Sequence, residues 1–267
     1  MVPVRGLIAV VTMASVICAA GAASASQDFG QPAPLGRSDE FSWGLGYHNY
    51  RAEWETDDED VKTGLLRQTN YWIQVYYTFS ENWSFYARFG VANLKIDTLL
   101  TQLDPAADFE ADYGFNLTVG VNGLLYRAPG WGVGPVLQAN FYADYETELE
   151  GELNEDLGGG EAGVLARYKG WRDINLGLAA QVDVGPLVLY GGGFGYLTTA
   201  DGEADITPAG ENPRLYKASI DEKGNFGGFL GMRMPFGRAW SFHAEGQYKS
   251  DLSFSVAISQ KLGTYFD

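Results

Sequence analysis

The chain has 267 residues and a formal charge of −16, with 34 Asp and Glu against 18 Lys and Arg. No basic stripe is present to neutralise phosphates, which excludes nucleic acid as a partner. Aromatics make up 14% of the residues and glycine occurs 35 times, yet mean hydropathy is slightly negative. After the N-terminus no uninterrupted apolar run approaches the length a membrane helix requires, so helical spans are excluded as well.

Arg5, the apolar run Leu7–Ala20 and the small-x-small triplet Ala23-Ser24-Ala25 read as a secretory signal over residues 1–25, with cleavage before Ser26. The single cysteine, Cys18, lies in that run. The mature chain is therefore expected to carry no disulfide and no cysteine metal site, and no cofactor is expected. Residues 26–40, with Pro32 and Pro34, read as a lead-in, and residues 41–267 as one all-β domain.

From Phe41 the pattern has a period of two. Phe41, Trp43, Leu45 and Tyr47 alternate with Ser42, Gly44, Gly46 and His48. Tyr71 to Phe79 alternates in the same way, turns at Ser80-Glu81-Asn82, and resumes over Trp83 to Val91, a hairpin signature. Tyr113 to Asn122 follows, then a turn at Ala128-Pro129-Gly130 and Trp131 to Tyr142. Asp173 to Val184 turns at Gly185-Pro186 into Leu187–Leu197. Leu230, Met232 and Met234 lead through Gly237-Arg238-Ala239 to Trp240–Lys249, and Ser250-Asp251 opens the last strand, Leu252–Leu262. Glu161–Arg172 fits a strand start, an extra hairpin or a helical turn. The expected fold is a transmembrane antiparallel up-and-down β-barrel of about ten strands, with eight or twelve as alternatives.

Three of the short turns hand over to a tryptophan, so Trp83, Trp131 and Trp240 are expected to form an aromatic belt at one membrane face. The connections on the other side are long and acidic, Trp54–Leu66, Thr98–Ala111, Thr147–Tyr168 and Thr199–Glu222, except for the tight turn Ser250-Asp251. They read as solvated loops, and the asymmetry matches short turns on one side of a membrane and long loops on the other. The apolar face, dense in Phe, Tyr, Leu and Val, is expected to meet lipid. The polar face would then line the lumen, with Gln74, Arg88, Asn116, Gln138, Asn140, Asp173, Asp183, Arg233, His243 and Glu245 as its principal side chains. Turn geometry sets Tyr77 opposite Phe85, Ile73 opposite Phe89 and Gln74 opposite Arg88. It also sets Thr118 opposite Gln138 and Asn116 opposite Asn140.

The signal ending Ala23-Ser24-Ala25, the hairpin Tyr71–Val91, the pair Trp83-Ser84-Phe85-Tyr86-Ala87 and Trp240-Ser241-Phe242-His243-Ala244, and the last strand carry a family resemblance. The chain resembles the small bacterial outer-membrane β-barrel proteins, the class of the OmpA transmembrane domain, OmpX and OmpW. That resemblance implies the cell outer membrane of a Gram-negative envelope, with outer-membrane lipid and lipopolysaccharide around the barrel and the barrel assembly machinery as a partner. Members of the class end the last strand on an aromatic. Here Phe266 keeps that parity and Asp267 follows it.

Chemistry is sparse. Ser241, His243 and Glu245 share one face of a strand, but residues two apart stand about 6.6–6.8 Å from each other, which is poor triad geometry. A buried network with Arg233 and Ser255 as partners is expected instead, and no catalytic residue is assigned. In the acidic loops Asp57-Asp58-Glu59-Asp60 and Glu146–Glu152 offer oxygen ligands for divalent cations, but neither matches an ordered calcium loop, so no metal site is assigned. The expected function is structural or a narrow, porin-like channel for small solutes. A lipid or peptide hydrolase, and a surface-interaction or cation-binding protein using the acidic loops, are the alternatives.

Overall fold

A computed structural model describes residues 28–56, 65–100, 103–104, 107–153, 161–208, 214–222 and 225–262. The expected signal, Asp57–Asp60, Glu155, Asp156 and the terminal Phe266 lie outside the described residues.

The wall is built from β1 (Glu40–Thr56), β2 (Leu65–Ser80), β3 (Trp83–Leu100), β5 (Ala107–Gly123), β7 (Trp131–Tyr142), β9 (Glu161–Val184), β10 (Leu187–Pro208), β12 (Phe226–Phe236), β13 (Trp240–Tyr248) and β14 (Leu252–Lys261). Each pairs antiparallel with the next in that order, and β14 pairs with β1, so ten strands close on themselves. Closure leaves no unpaired edge, the condition for a sheet to cross hydrocarbon. Four shorter strands complete the described set: β4 (Leu103–Asp104), β6 (Tyr126–Ala128), β8 (Tyr145–Leu153) and β11 (Arg214–Glu222). β8 lines β9, and β11 bridges β10 to β1 at the end away from the short turns.

The apolar face points outward. Phe85 is 42% and Phe254 48% exposed, and Leu45, Ile73, Phe89 and Leu176 share that face. At the short-turn end Trp131 stands beside Tyr126, and Trp240 beside Trp43 and Phe236. Trp83 covers Gly123 of the neighbouring strand, where a Cβ would meet its ring at 2.2 Å. Toward the other end Tyr47, Tyr71, Tyr113 and Phe254 form a second girdle, with ring centroids 5.3–6.2 Å apart. Two aromatic girdles around an apolar band are the outer surface of a membrane barrel.

Register follows the turns at the first hairpin: Tyr77↔Phe85, Ile73↔Phe89 and Gln74↔Arg88 are cross-strand partners. The second hairpin differs from expectation. Thr118 opposes Asn140, Asn116 opposes Tyr142, and Gly120 opposes Gln138. The reason is β6. The tight turn at Pro129-Gly130 pairs β7 with β6 (Ala128↔Trp131), not with β5, and β5 meets β7 only from Asn122↔Val136. The slip is two residues, so every side chain keeps its face.

The connections expected as loops are largely strand. Glu161–Arg172 is the start of β9, and β10 runs unbroken to Pro208. In this extension the amphipathic sense inverts. Tyr50, Ala52, Leu66, Leu94, Ile96, Phe109, Tyr168 and Trp171 point inward and pack as one apolar core. Outside, Lys95 meets Glu110, Arg67 meets Asp97, and Arg167 meets Glu146 and Asp205. β1 and β3 invert by sequence alone: apolar residues leave the outer face after Tyr47 and Val91 and take the inner face from Tyr50 and Ala92. β9 inverts by geometry. Gly170 (φ +62°) makes a bulge against Thr199/Asp201, so Tyr168 and Trp171 both face in. In β5 the extra residue falls between Ala111 and Gly114.

Phe109 is fully buried in the extension core and packs edge-on against Tyr168. Phe109→Ala is expected to cost about 3–5 kcal/mol, seen as lost hydrogen-exchange protection in the extension. Phe89→Arg, on the lipid face, should cost about 2–4 kcal/mol if it sits near the bilayer midplane, measured by refolding into lipid vesicles. Unchanged protection in the first variant would mean that the extension does not depend on its apolar core.

Candidate functional site

The lumen is the candidate site. Of the side chains expected to line it, Gln74, Arg88, Asn116, Gln138, Asn140, Asp173, His243 and Glu245 are buried inside the barrel. Arg233 is half-buried, and Asp183 is exposed at the short-turn rim. Asp183 stands there because it is the penultimate residue of β9, where the wall ends.

Two charge clusters occupy the axis. In the upper one Asp173 takes the Lys249 ammonium at 2.7 Å, with both side chains sealed from solvent. Its oxygens also accept from Asn140 and Asn175 (2.7 Å each) and Thr198 (2.8 Å). Lys249 Nζ lies 4.3 Å above the Tyr196 ring. Asn140 relays to Thr118 and Gln138, and Tyr86 donates to Gln138 (2.7 Å). Each added donor lowers the penalty of burying a carboxylate, so a charge here is sustained by its network as much as by its ion pair. In the lower cluster the Arg88 guanidinium is sandwiched between Trp72 and Tyr86, 4.7 Å from each ring centroid. It donates to Gln74 and reaches Asp28 at 3.3 Å.

Asp28 belongs to the lead-in, which enters the lumen. Residues 28–36 climb inside the barrel from the short-turn end. Phe29 is fully buried against Phe194 and Phe229, 4.7 and 4.8 Å between ring centroids. The N–H groups of Phe29 and Gly30 donate to the two oxygens of Glu245 (2.8 and 2.9 Å). Asn122 donates to the carbonyls of Phe29 and Gln31, and the Ala33 N–H donates to Gln181. The expected lumen set left out Asp28, Asn122, Gln181 and Lys249, although the last three stand on the polar face of their segments. Lys249 was visible as a lone charge on lumen parity, whereas the lead-in has no period to read.

Ser241, His243 and Glu245 do not bond to one another. His243 Nε2 contacts Ser259 Oγ at 2.7 Å, and Glu245 is held by the lead-in amides and by Gln247 (2.5 Å). Arg233 and Ser255 are the register partners of His243 and Glu245, but in place of the expected network with them the hydrogen bonds run to Ser259, Gln247 and the lead-in. Among the described residues no three His, Cys, Asp or Glu side chains converge as metal ligands.

No family model matches the chain, and no curated protein matches it. Solved structures do. The translocator domain of the autotransporter NalP from Neisseria meningitidis is 14% identical, with 85% of this chain and 89% of that chain covered at a TM-score of 0.48. The outer membrane protease OmpT from Escherichia coli is 10% identical, with 86% and 98% covered at 0.49. Ail, the attachment invasion locus protein of Yersinia pestis, is 11% identical in one of its structures, with 84% and 99% covered at 0.32. At these values the likenesses carry no functional argument, and they do not single out the OmpA, OmpX and OmpW group.

Lys249→Met should destabilise the barrel by about 3–5 kcal/mol, because Asp173 is left buried without its cation. Lys249→Met with Asp173→Leu should recover most of that loss in heat-induced unfolding in detergent. Outside the lumen, on the extension, hydrogen bonds from Lys169 and Lys217 pull the Glu203 carboxyl from its ordinary 4.5 down to about 2. A depressed folded value means this contribution is complete above the ordinary value and drains away as pH falls toward about 2. Pepsin cleavage of β10–β11 should therefore rise across that interval in the wild type and lose this component in Glu203→Gln.

Proposed function

We propose that the chain is a non-enzymatic outer-membrane β-barrel of the Gram-negative envelope that stands closed. The wall anchors a water-facing β-extension and holds its own lead-in inside. The short turns face the periplasm and the extension faces outward, following the usual asymmetry of turn and loop lengths. Outer-membrane lipid and lipopolysaccharide surround the apolar band, and the barrel assembly machinery inserts it.

One observation carries the closed reading: the axis is filled at two levels. The lead-in with Phe29 occupies the lower half, and the apolar core around Tyr50, Phe109 and Trp171 occupies the extension. A porin-like path needs continuous water along the axis. The non-enzymatic reading is supported by Glu245, whose oxygens are already committed to backbone amides of the lead-in.

Planar-bilayer recording tests this. Purified, heat-modifiable barrel should insert without a steady conductance, and vesicles bearing it should not swell in small sugars. A reproducible unitary conductance with each insertion would overturn the closed reading in favour of a narrow channel.

A further inference from the structure

The lead-in is attached unlike any strand of the wall. Among the described residues no backbone–backbone hydrogen bond joins it to the wall before Asp39, whose N–H donates to the Thr78 carbonyl at 2.7 Å. Above that point its backbone is read by wall side chains: Glu245 takes two successive N–H groups, Asn122 serves two carbonyls, and Gln181 takes one N–H. The ring of ten ladders is complete without it. Its tether is an exposed turn at Arg37–Glu40, with Asp39 in the left-handed region (φ 63°) and the Arg37 N–H on Glu40 Oε2.

We infer that the lower lumen is a cleft for an extended peptide, filled here in cis by residues 28–37. Recognition has three parts. An aromatic side chain enters the pocket formed by Phe194 and Phe229. A glycine follows it at φ +74°, a conformation that other residues rarely adopt, and the two consecutive N–H groups of Phe29 and Gly30 share one carboxylate. An acid precedes the aromatic and meets Arg88. The positive φ favours glycine here, and a Cβ at Gly30 would lie in tight contact, 3.1 Å, with the Tyr76 hydroxyl. Departure of the peptide breaks no wall ladder. Glu245 and Arg88 would then face a chamber open at the short-turn end, where water replaces the lost partners.

The cleft goes beyond the closed-barrel reading and is tested apart from conductance. A specific protease site inserted between Arg37 and Ser38 of the full chain allows the tether to be cut after folding in detergent. The cut barrel, still heat-modifiable, should exchange its segment for a fluorescent synthetic peptide of residues 28–37, saturably, while the uncut barrel does not. A peptide carrying Gly30→Ala or Phe29→Ala should compete at least about tenfold more weakly, and a scrambled peptide should not compete. Glu245→Gln in the barrel should weaken retention by about ten- to a hundredfold. Failure of the cut barrel to exchange at any temperature below unfolding would overturn the cleft, as would equal competition by the scrambled peptide. The synthetic-peptide variants keep the test decisive even if Glu245→Gln does not fold.

Discussion

One closed sheet passes through two solvents, and the change of solvent decides where almost every side chain sits. Backbone N–H and C=O groups find no partners in hydrocarbon, so the wall must close. Once closed, it has an outside whose medium changes along the axis and an inside that is always its own. In the membrane band the outside is acyl chain, so Phe85 and Phe254 face out and polar groups are left for the axis. Above the band the outside is water, and Arg67, Lys95 and Arg167 take it while Phe109 and Tyr168 go in. The two halves of β1 are a membrane strand and a soluble-protein strand written end to end. The second girdle of Tyr47, Tyr71, Tyr113 and Phe254 marks the seam.

The inversion sharpens the problem of the lumen. Polar residues at the axis are inward because the outer face must be apolar, and a charge among them has little water to solvate it. The structure answers with opposite charges placed on different segments: Lys249, the residue after β13, with Asp173 of β9, and Arg88 of β3 with Asp28 of the lead-in. Such pairs stabilise less than their Coulomb attraction suggests, because desolvation consumes most of it. Their stronger effect is on register. Sliding β13 by one residue would turn Lys249 to the outer face and strand Asp173, so the pair penalises the wrong alignment more than it rewards the right one.

How much of this was legible follows the same line. The turn at Ser80–Asn82 and the tryptophan after it fixed a hairpin, and Gln74 opposite Arg88 came from counting outward from that turn. The same count failed at Pro129-Gly130, because a three-residue strand, Tyr126–Ala128, absorbed the turn and nothing local distinguishes it from the end of β5. Acid-rich stretches such as Glu146–Glu152 read as loops because charge dominates their composition. The alternate residues of β9 opposite them, Ala162, Val164 and Ala166, carry the inward apolar face. In β9 and β5 the apolar parity never changes along the sequence, and the inversion comes from a single extra residue, so no periodicity analysis could locate it. Gly170 was the one local sign.

Strand number explains why the lead-in is inside at all. A barrel of about eight strands is just wide enough for its own side chains to fill. Ten strands leave more room, and the wall narrows part of it by laying rings across inward glycines: a Cβ at Gly46 would meet Trp72 at 2.1 Å, at Gly120 Tyr86 at 2.2 Å, and at Gly231 Tyr190 at 2.4 Å. In the extension, large aromatics close the remainder. In the lower half the inner residues must also serve polar partners, and rings alone would leave Glu245 and Arg88 unsatisfied. An extended backbone suits that space better than a larger side chain would, because it supplies amide donors and carbonyl acceptors along its length and carries Phe29 as filler. The lead-in thus fills the room that a ten-stranded wall with a charged floor leaves, and its polar backbone, without a ladder of its own, is what the lumen side chains are arranged to receive.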